Sequence, residues 1–314
     1  MTTGQGGGPG LAAVTFENVS KHYGAVKAVN ELSLEIPQGR TIAFLGPNGA
    51  GKSTSIDMLL GLKKPTSGTV RVYGKAPREA VLAGQVGAML QTSGLMTDVS
   101  VRELLTLMTK LHPKPLSVDD LITRANVADF VDQRVDKLSG GQSQRVRFAI
   151  AIAGDSDLIV LDEPTTGMDV ENRQIFWNSM KGEAVRGKTV LFATHYLEEA
   201  DQIADQVVVI NKGRLLANGS VADIKGMAGF QRIAFRLPGI TREQLLDLPH
   251  VVSLDVLHDH VQIQTSDSDK TFYALLDQGL RPMEIEISAL GLEQAFVAIT
   301  ERDNGDAVDM EDAR

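Results

Sequence analysis

The sequence predicts an α/β fold over residues 14–226, with a small α+β domain after it. Three observations carry this. Short, almost wholly apolar runs, RTIAFLG (40–46), DLIVLDEP (157–164) and KTVLFATH (188–195), alternate with helical stretches, as in a sheet buried on both faces. The first run feeds without a break into a glycine-rich loop, GPNGAGKST (Gly46 to Thr54), and then into a helix. After Gly226 the rhythm changes to shorter, alternating strands and separate helices.

Taken in order, residues 1–13 contain MTTGQGGGPG, which lacks the charged and apolar regions of a secretory signal and reads as a flexible lead-in. TFENVSKHY (15–23) and NELSLEIP (30–37) alternate in polarity and read as antiparallel strands of an edge subdomain. RTIAFLG is a buried strand, STSIDMLLGL (53–62) its helix, TSGTVRVYG (66–74) a turn and strand, and VGAMLQ (86–91) a further strand. A helical subdomain is expected over about 92–153, clearest in VRELLTLMTKL and QRVRFAIAIAG. DLIVLDEP, KTVLFATH and DQVVVINKGRLLANG (205–219) return to strands.

GMAG (226–229) is expected to be a linker, and 227–302 an accessory or regulatory α+β domain. RIAFRL (232–237), VVSLDVLHDHVQIQT (251–265) and MEIEIS (283–288) read as its strands. TREQLLDL (241–248), KTFYALLDQGL (270–280) and GLEQAFVAITER (291–302) read as its helices. The tail 303–314, with five carboxylates and one arginine, reads as a disordered acidic end.

Composition narrows the function. A formal net charge of -9 argues against general nucleic-acid binding. The chain has no cysteine, hence no disulfide framework and no thiolate metal site. Its apolar runs fall well short of the roughly 20 residues of a spanning helix, so any membrane function needs a partner that supplies the membrane part.

The glycine loop fits G-x-x-x-x-G-K-[ST] through Gly46, Gly51, Lys52 and Ser53. Such a loop turns backbone N–H groups onto phosphate oxygens, and the helix behind it adds its positive end. Lys52 is placed for the β- and γ-phosphates, the Ser53 hydroxyl for Mg²⁺, and Thr54 for the α-phosphate. Asp162 emerges at the carboxyl end of LIVLD, where an anion can hold Mg²⁺. Glu163 follows as a candidate base for the attacking water.

His195 and Gln91 close two further strands at the same predicted edge, and Tyr23 closes an early one. Taken singly, His195 and Gln91 are better explained as an ordinary strand-closing residue and a plain loop glutamine, and Tyr23 equally well as a half-buried strand tyrosine. His258 and His260, two apart on a predicted strand, read as a half-exposed polar face rather than a metal site.

The order Tyr23, GPNGAGKST, Gln91, LSGGQ (Leu138 to Gln142), LIVLDEP, TTGMD (165–169) and His195 resembles the ATP-binding subunit of ABC transporters. The resemblance covers about residues 14–225, and its most specific part is LSGGQSQRV about 20 residues ahead of the apolar-DE run. The remainder, including GLEQAFVAIT, resembles the C-terminal extension of ATPases serving drug-resistance-type exporters of bacteria.

The resemblance implies a P-loop NTPase of the ABC ATPase type, with an antiparallel β subdomain and a helical subdomain. Tyr23 would stack on adenine, and Gly46, Pro47, Asn48, Gly49, Ala50, Gly51, Lys52, Ser53 and Thr54 would hold phosphates. Ser53, Gln91 and Asp162 would serve Mg²⁺, Glu163 would be the base, and His195 would position the γ-phosphate.

It also implies that Ser139, Gly140, Gly141 and Gln142 of one copy face the glycine loop of another, with Asp169 at the seam. Ser139 would cap the following helix, and Gly140 and Gly141 would bare backbone N–H groups to phosphate. Two complete sites then need two copies of the chain or a homologous ATPase. Residues 95–137, with Gln91, would receive a cytoplasmic helix of an integral-membrane permease and hold the chain at the inner membrane face. Ser143 stands where many relatives have a longer side chain, and TTGMD replaces the commoner SGLD wording; neither removes a catalytic group.

The competing reading is a soluble ABC ATPase of DNA repair or translation. No coiled-coil heptad run lies between Gly46 and Asp162, and the glycine-lysine loop occurs once, which favours the transporter. The transported substrate is chosen by the permease and is not written in this chain.

Overall fold

A computed structural model of the chain describes residues 12–91, 94–227 and 229–311. The expected lead-in lies almost wholly outside the described residues. The chain divides into two compact units between Asn218 and Gly219.

The first unit begins with a hairpin, β1 (Ala12–Tyr23) and β2 (Val26–Pro37). In β2 the alternation is realised directly: Leu32, Leu34 and Ile36 are buried while Glu31, Ser33 and Glu35 face solvent. β3 (Thr41–Leu45) runs into the glycine loop and α1 (Lys52–Leu59). β4 (Ser67–Val72) returns to the hairpin, giving an antiparallel sheet of order β2-β1-β4. A short helix that the periodicity does not announce, α2 (Pro77–Leu82), leads to β5 (Val86–Met89).

The predicted helical subdomain consists of α3 (Val101–Thr109), α4 (Val118–Arg124) and α5 (Gly140–Ile152), with two 3₁₀ turns between the last two. Residues 92 and 93, at its predicted start, lie outside the described residues. Ser100 and Glu103 form a capping box that starts α3, and Ser117 caps α4. β6 (Leu158–Asp162), α6 (Val170–Val185), β7 (Thr189–Thr194), α7 (Leu197–Ile203), β8 (Gln206–Asn211) and β9 (Arg214–Gly219) complete the unit.

The central sheet has six strands in the order β5-β6-β7-β3-β8-β9. β5, β6, β7, β3 and β8 are parallel, and every residue of β3, β6 and β7 is buried. Phe148, Phe176, Trp177 and Phe192 stack edge to face at 5.1–5.3 Å and pin α5 and α6 onto β7.

The second unit opens with α8 (Val221–Met227), which packs against the last helix of the chain. β10 (Gln231–Arg236), β11 (Val251–Leu257), β12 (His260–Thr265), α9 (Ser268–Asp277), β13 (Met283–Ala289) and α10 (Leu292–Glu311) follow. Its sheet has the order β11-β12-β10-β13 around Ile233, Phe235, Leu254, Val261, Ile263 and Leu275.

Four expectations are revised here. The unit boundary precedes the predicted GMAG linker, because α8 packs with α10; Ala228 of that linker lies outside the described residues. TREQLLDL holds only a 3₁₀ turn, Glu243–Leu245, since Pro249 and the short segment leave no room for a longer helix. VVSLDVLHDHVQIQT is a hairpin, with His258 in its turn at φ 59° and His260 opening β12, so the two histidines do not share a strand face. The acidic tail continues α10 as helical backbone to Glu311; residues 312–314 lie outside the described residues.

No helix among the described residues is long and apolar enough to cross a membrane. All the nucleotide motifs precede Gly219. A chain ending at Gly219, which keeps β9 whole, is therefore expected to bind a fluorescent ATP analogue within roughly threefold of the full chain. Loss of all binding in a folded truncated chain, checked by circular dichroism, would contradict the division of roles.

Candidate functional site

Parallel strands put all their carboxyl ends at one edge, and that edge gathers the predicted residues. Leu45 lies beside Thr194, Asp162 beside Ala193, and Met89 beside Leu161. The residues that leave β3, β6, β7 and β5 at this edge are Gly46, Glu163, His195 and, two positions past β5, Gln91. Of these, Glu163 and Gln91 lie on the walls of a cleft of about 390 Å³ together with Tyr23, Pro47, Asn48, Gly49, Gly51, Lys52, Ser53 and Thr54. Val26, Lys27 and Ala28 of β2 complete the wall beside Tyr23.

The glycines of the loop have separate causes. A Cβ on Gly46 would lie 2.5 Å from the Ile210 carbonyl oxygen, and one on Gly51 would lie 2.4 Å from that of Ala28. Gly51 also stands at φ 105° as the N-cap of α1, with no side chain capping the helix. The first N–H groups of α1 therefore have no capping side chain, as an anion site requires. Ala50 differs from expectation: it is buried in the core, and its N–H donates to the Pro47 carbonyl at 3.1 Å. It shapes the loop and does not line the cleft, and the same holds for Gly46.

Lys52 arches back so that its Nζ donates to the carbonyls of Gly46 at 2.6 Å and Pro47 at 3.3 Å. Burial pushes its ammonium pKa down, while Glu163 and Asp162 pull it up. Burial raises the pKa of Asp162, opposed by a hydrogen bond from Ser53. Its Oδ1 is buried with no hydrogen-bond partner among the described residues. An orphaned carboxylate oxygen beside a hydroxyl, under a phosphate loop, is a donor set suited to Mg²⁺ completed by phosphate oxygens and water. Among the described residues no cluster of three or more His, Asp or Glu would hold a metal alone.

Glu163 is 8% exposed and sits at φ 51°, an unusual conformation for a residue preceding proline. Its N–H is tied to the Ala193 carbonyl at 2.9 Å, which joins the ends of β6 and β7. Its Oε2 meets His195 Nδ1 at 2.6 Å, with Thr166 Oγ1 at 3.5 Å. A strained backbone held by such bonds fixes a carboxylate in one direction. Tyr23 lies 44% exposed at the mouth of the cleft, with Lys21 Nζ and Lys63 Nζ over its ring at 5.3 and 5.4 Å. Those two lysines give the ring a cationic margin that motif reasoning did not identify.

None of the LSGGQ residues, Leu138 to Gln142, lines this cleft. Ser139 caps α5 by accepting from Gln142 N–H at 3.2 Å, and Gln142 Oε1 in turn accepts from Ser139 N–H at 2.9 Å. Ser139 and Gly140 are exposed. Asp169 caps α6, accepting from Asn172 N–H and Nδ2, both at 2.8 Å; these bonds hold its carboxyl below the usual carboxylate range.

Asn172 also fills the space beside Gly141. A Cβ there would fall 2.7 Å from Asn172 Cγ, whereas one on Gly140 would meet nothing nearer than 3.8 Å. Gly141→Ala is therefore expected to lower stability by about 1–3 kcal/mol. Gly140→Ala should leave the melting temperature within roughly 2 °C of the parent. Equal melting temperatures for the two variants would contradict the packing.

Comparison with known proteins agrees with the geometry. A family model described as ABC transporter matches residues 29–166. The Nod factor export ATP-binding protein I of Mesorhizobium japonicum is 34% identical over 301 residues, covering 93% of this chain and 87% of that protein. The protein of the same name from Burkholderia orbicola is 39% identical over 217 residues, covering 67% and 71%. Among solved structures, the dimeric post-hydrolysis state of the ATP-binding cassette MJ0796 bound to ADP and Pi superposes with a TM-score of 0.60 at 25% identity. It covers 66% of this chain and 98% of that one. A bacterial Atm1-family ABC exporter with ATP bound gives 0.60 at 27% identity, covering 68% of this chain and 39% of that one.

Proposed function

The chain belongs to the family of ABC transporter ATP-binding subunits and is an ATP hydrolase, and from that premise we propose that two copies close head to tail over two nucleotides and drive a separate export permease. The observation that carries the reading is Glu163 on the wall of the glycine-loop cleft, held by His195 at 2.6 Å. In the proposed site Lys52 turns from the loop carbonyls to the β- and γ-phosphates, and the N–H groups of α1 hold the phosphate oxygens. Ser53, Asp162 and Gln91 would hold Mg²⁺, which when bound screens phosphate charge. Glu163 accepts the proton of the attacking water, His195 keeps its carboxylate aimed, and Tyr23 offers its ring to adenine.

The LSGGQ face completes the site from the second copy. Ser139 and the exposed start of α5 at Gly140 supply a second anion-binding helix end, while Gly141, expected to bare its N–H, is buried beside Asn172. The γ-phosphate then contributes to the closed dimer alone, and its loss by hydrolysis releases that state. The open space beside Gly140 within its own chain supports an approach by another. A folded Gly140→Ala with ATPase reduced more than roughly tenfold is the expected result; unchanged ATPase would contradict the shared site.

Coupling to the permease is supported by a second cavity of about 160 Å³, lined by Ala88, Met89, Leu95, Met96, Leu104 and Met108 together with Gly94, Arg147 and Ile150. Methionine-rich apolar grooves suit an inserted helix. β5 ends against both cavities: Met89 lines the groove, and Gln91 lines the nucleotide cleft. We assign this groove to a cytoplasmic helix of the permease, which holds the chain at the inner membrane face. The names of the relatives favour export; a cargo like theirs would be read by the permease. Met96→Arg is expected to cut co-purification with the co-expressed permease from detergent-solubilised membranes by about tenfold or more, with soluble ATPase unchanged. Undiminished co-purification would count against the groove.

A further inference from the structure

Behind the Glu163–His195 pair stands a buried carboxylate that belongs to none of the motifs. Glu199, in the first turn of α7, is 5% exposed. One of its oxygens accepts from Thr165 Oγ1 at 2.8 Å and the other from Thr194 Oγ1 at 3.1 Å. Thr165 lies two residues after Glu163, and Thr194 immediately precedes His195; neither threonine has any exposed surface. Thr194 Oγ1 also accepts from Tyr196 N–H at 3.0 Å, so one hydroxyl ties the backbone on both sides of His195.

A third tie reaches α6. Arg173 Nε lies 3.4 Å from Glu199 Oε1, and its guanidinium lies over the Tyr196 ring at 4.7 Å. That ring in turn stands 4.1 Å from the His195 imidazole, centroid to centroid. Arg173 is one turn beyond Asp169, whose carbonyl accepts the Arg173 N–H at 3.0 Å. Burial raises the Glu199 carboxyl pKa, against the hydrogen bonds and Arg173, which lower it. Desolvation opposes the burial of a carboxylate, which makes Glu199 a poor choice for stability alone.

We propose that Glu199 is a positioning residue. Its two oxygens bolt the segment after Glu163 to the segment before His195 and so set the separation of the pair. Through Arg173 it also connects the pair to the first turn of the helix that Asp169 caps. The inference rests on the reading of Glu163 and His195 as the hydrolytic pair.

The test is a double-mutant cycle on the full-length chain. Glu199→Gln keeps the shape and one acceptor and loses the charge. It is expected to lower kcat for ATP hydrolysis roughly 10- to 100-fold, as a misplaced reacting group does, with KM little changed. In a His195→Ala background, measured by single turnover at high enzyme concentration, the same substitution should change the residual rate by less than about twofold.

Equal losses in both backgrounds, or a parental kcat in Glu199→Gln while Glu163→Gln is inactive, would overturn the role of Glu199 and leave the Glu163 reading intact. Normal turnover in Glu163→Gln would overturn the reading beneath it. Should Glu199→Gln fail to fold, Thr165→Val removes a single bond from the same carboxylate. It should show a smaller kcat loss with the same dependence on His195, and a parental kcat there overturns the proposal.

Discussion

Glu163→Gln should bind MgATP within about threefold of the parent affinity and hydrolyse it on the order of 10²–10⁴ times more slowly, the usual effect of losing a general base. The side chain lines the cleft, its backbone is fixed at φ 51°, and its carboxylate is held by His195. Glutamine keeps the shape and cannot take a proton from water. Because the γ-phosphate then persists, the variant should accumulate as an ATP-bound dimer. Phosphate release measured beside light scattering reads both effects, and near-parental turnover would remove Glu163 from the chemistry.

Lys52→Ala should lose more in binding than in fold. A charged hydrogen bond to phosphate contributes about 1.5–3 kcal/mol, so ATP affinity should fall roughly 10- to 150-fold. The same change removes the bonds from Nζ to the Gly46 and Pro47 carbonyls, which brace the loop from within. Burial already pushes the Lys52 ammonium pKa down, against Glu163 and Asp162, so removing it leaves two carboxylates facing the phosphates. Titration with a fluorescent ATP analogue measures the loss, and circular dichroism checks the fold. Unchanged affinity would mean that the loop does not grip phosphate through this residue.

The parallel sheet and its site edge were legible because each motif comes with its context. A loop that leaves a fully apolar strand and enters a helix has one way to be arranged, and DE after LIVL must emerge at the same edge. What the sequence does not show is direction within a loop. Ala50 carries the same motif as its neighbours, yet its methyl turns into the core and its N–H closes a turn on Pro47.

Hairpins inside a continuous alternating run are also silent. The turn at His258 has no glycine to announce it, so the run reads as one strand where two pair. The boundary near Gly219 depends on α8 packing against α10, which no local pattern encodes. Glu199 was illegible for a related reason. An acid in LEEAD at a helix start reads as a solvated first-turn carboxylate. Only the folded chain shows both threonines closing on it.

In the proposed dimer, LSGGQ of one copy completes the glycine-loop cleft of another. Because the chain has no cysteine, introduced thiols are the only ones present. Ala50 is unsuited to carry one, being buried, whereas Asn48 and Ser139 are exposed. Asn48→Cys and Ser139→Cys are made in separate chains, each with Glu163→Gln, then mixed and mildly oxidised. A disulfide needs Cα atoms within about 7 Å of each other. The expected result is a covalent dimer on a non-reducing gel that forms in MgATP, is weak without nucleotide, and is weak for either chain alone. A mixture that yields no dimer in MgATP, or as much without nucleotide, would contradict it.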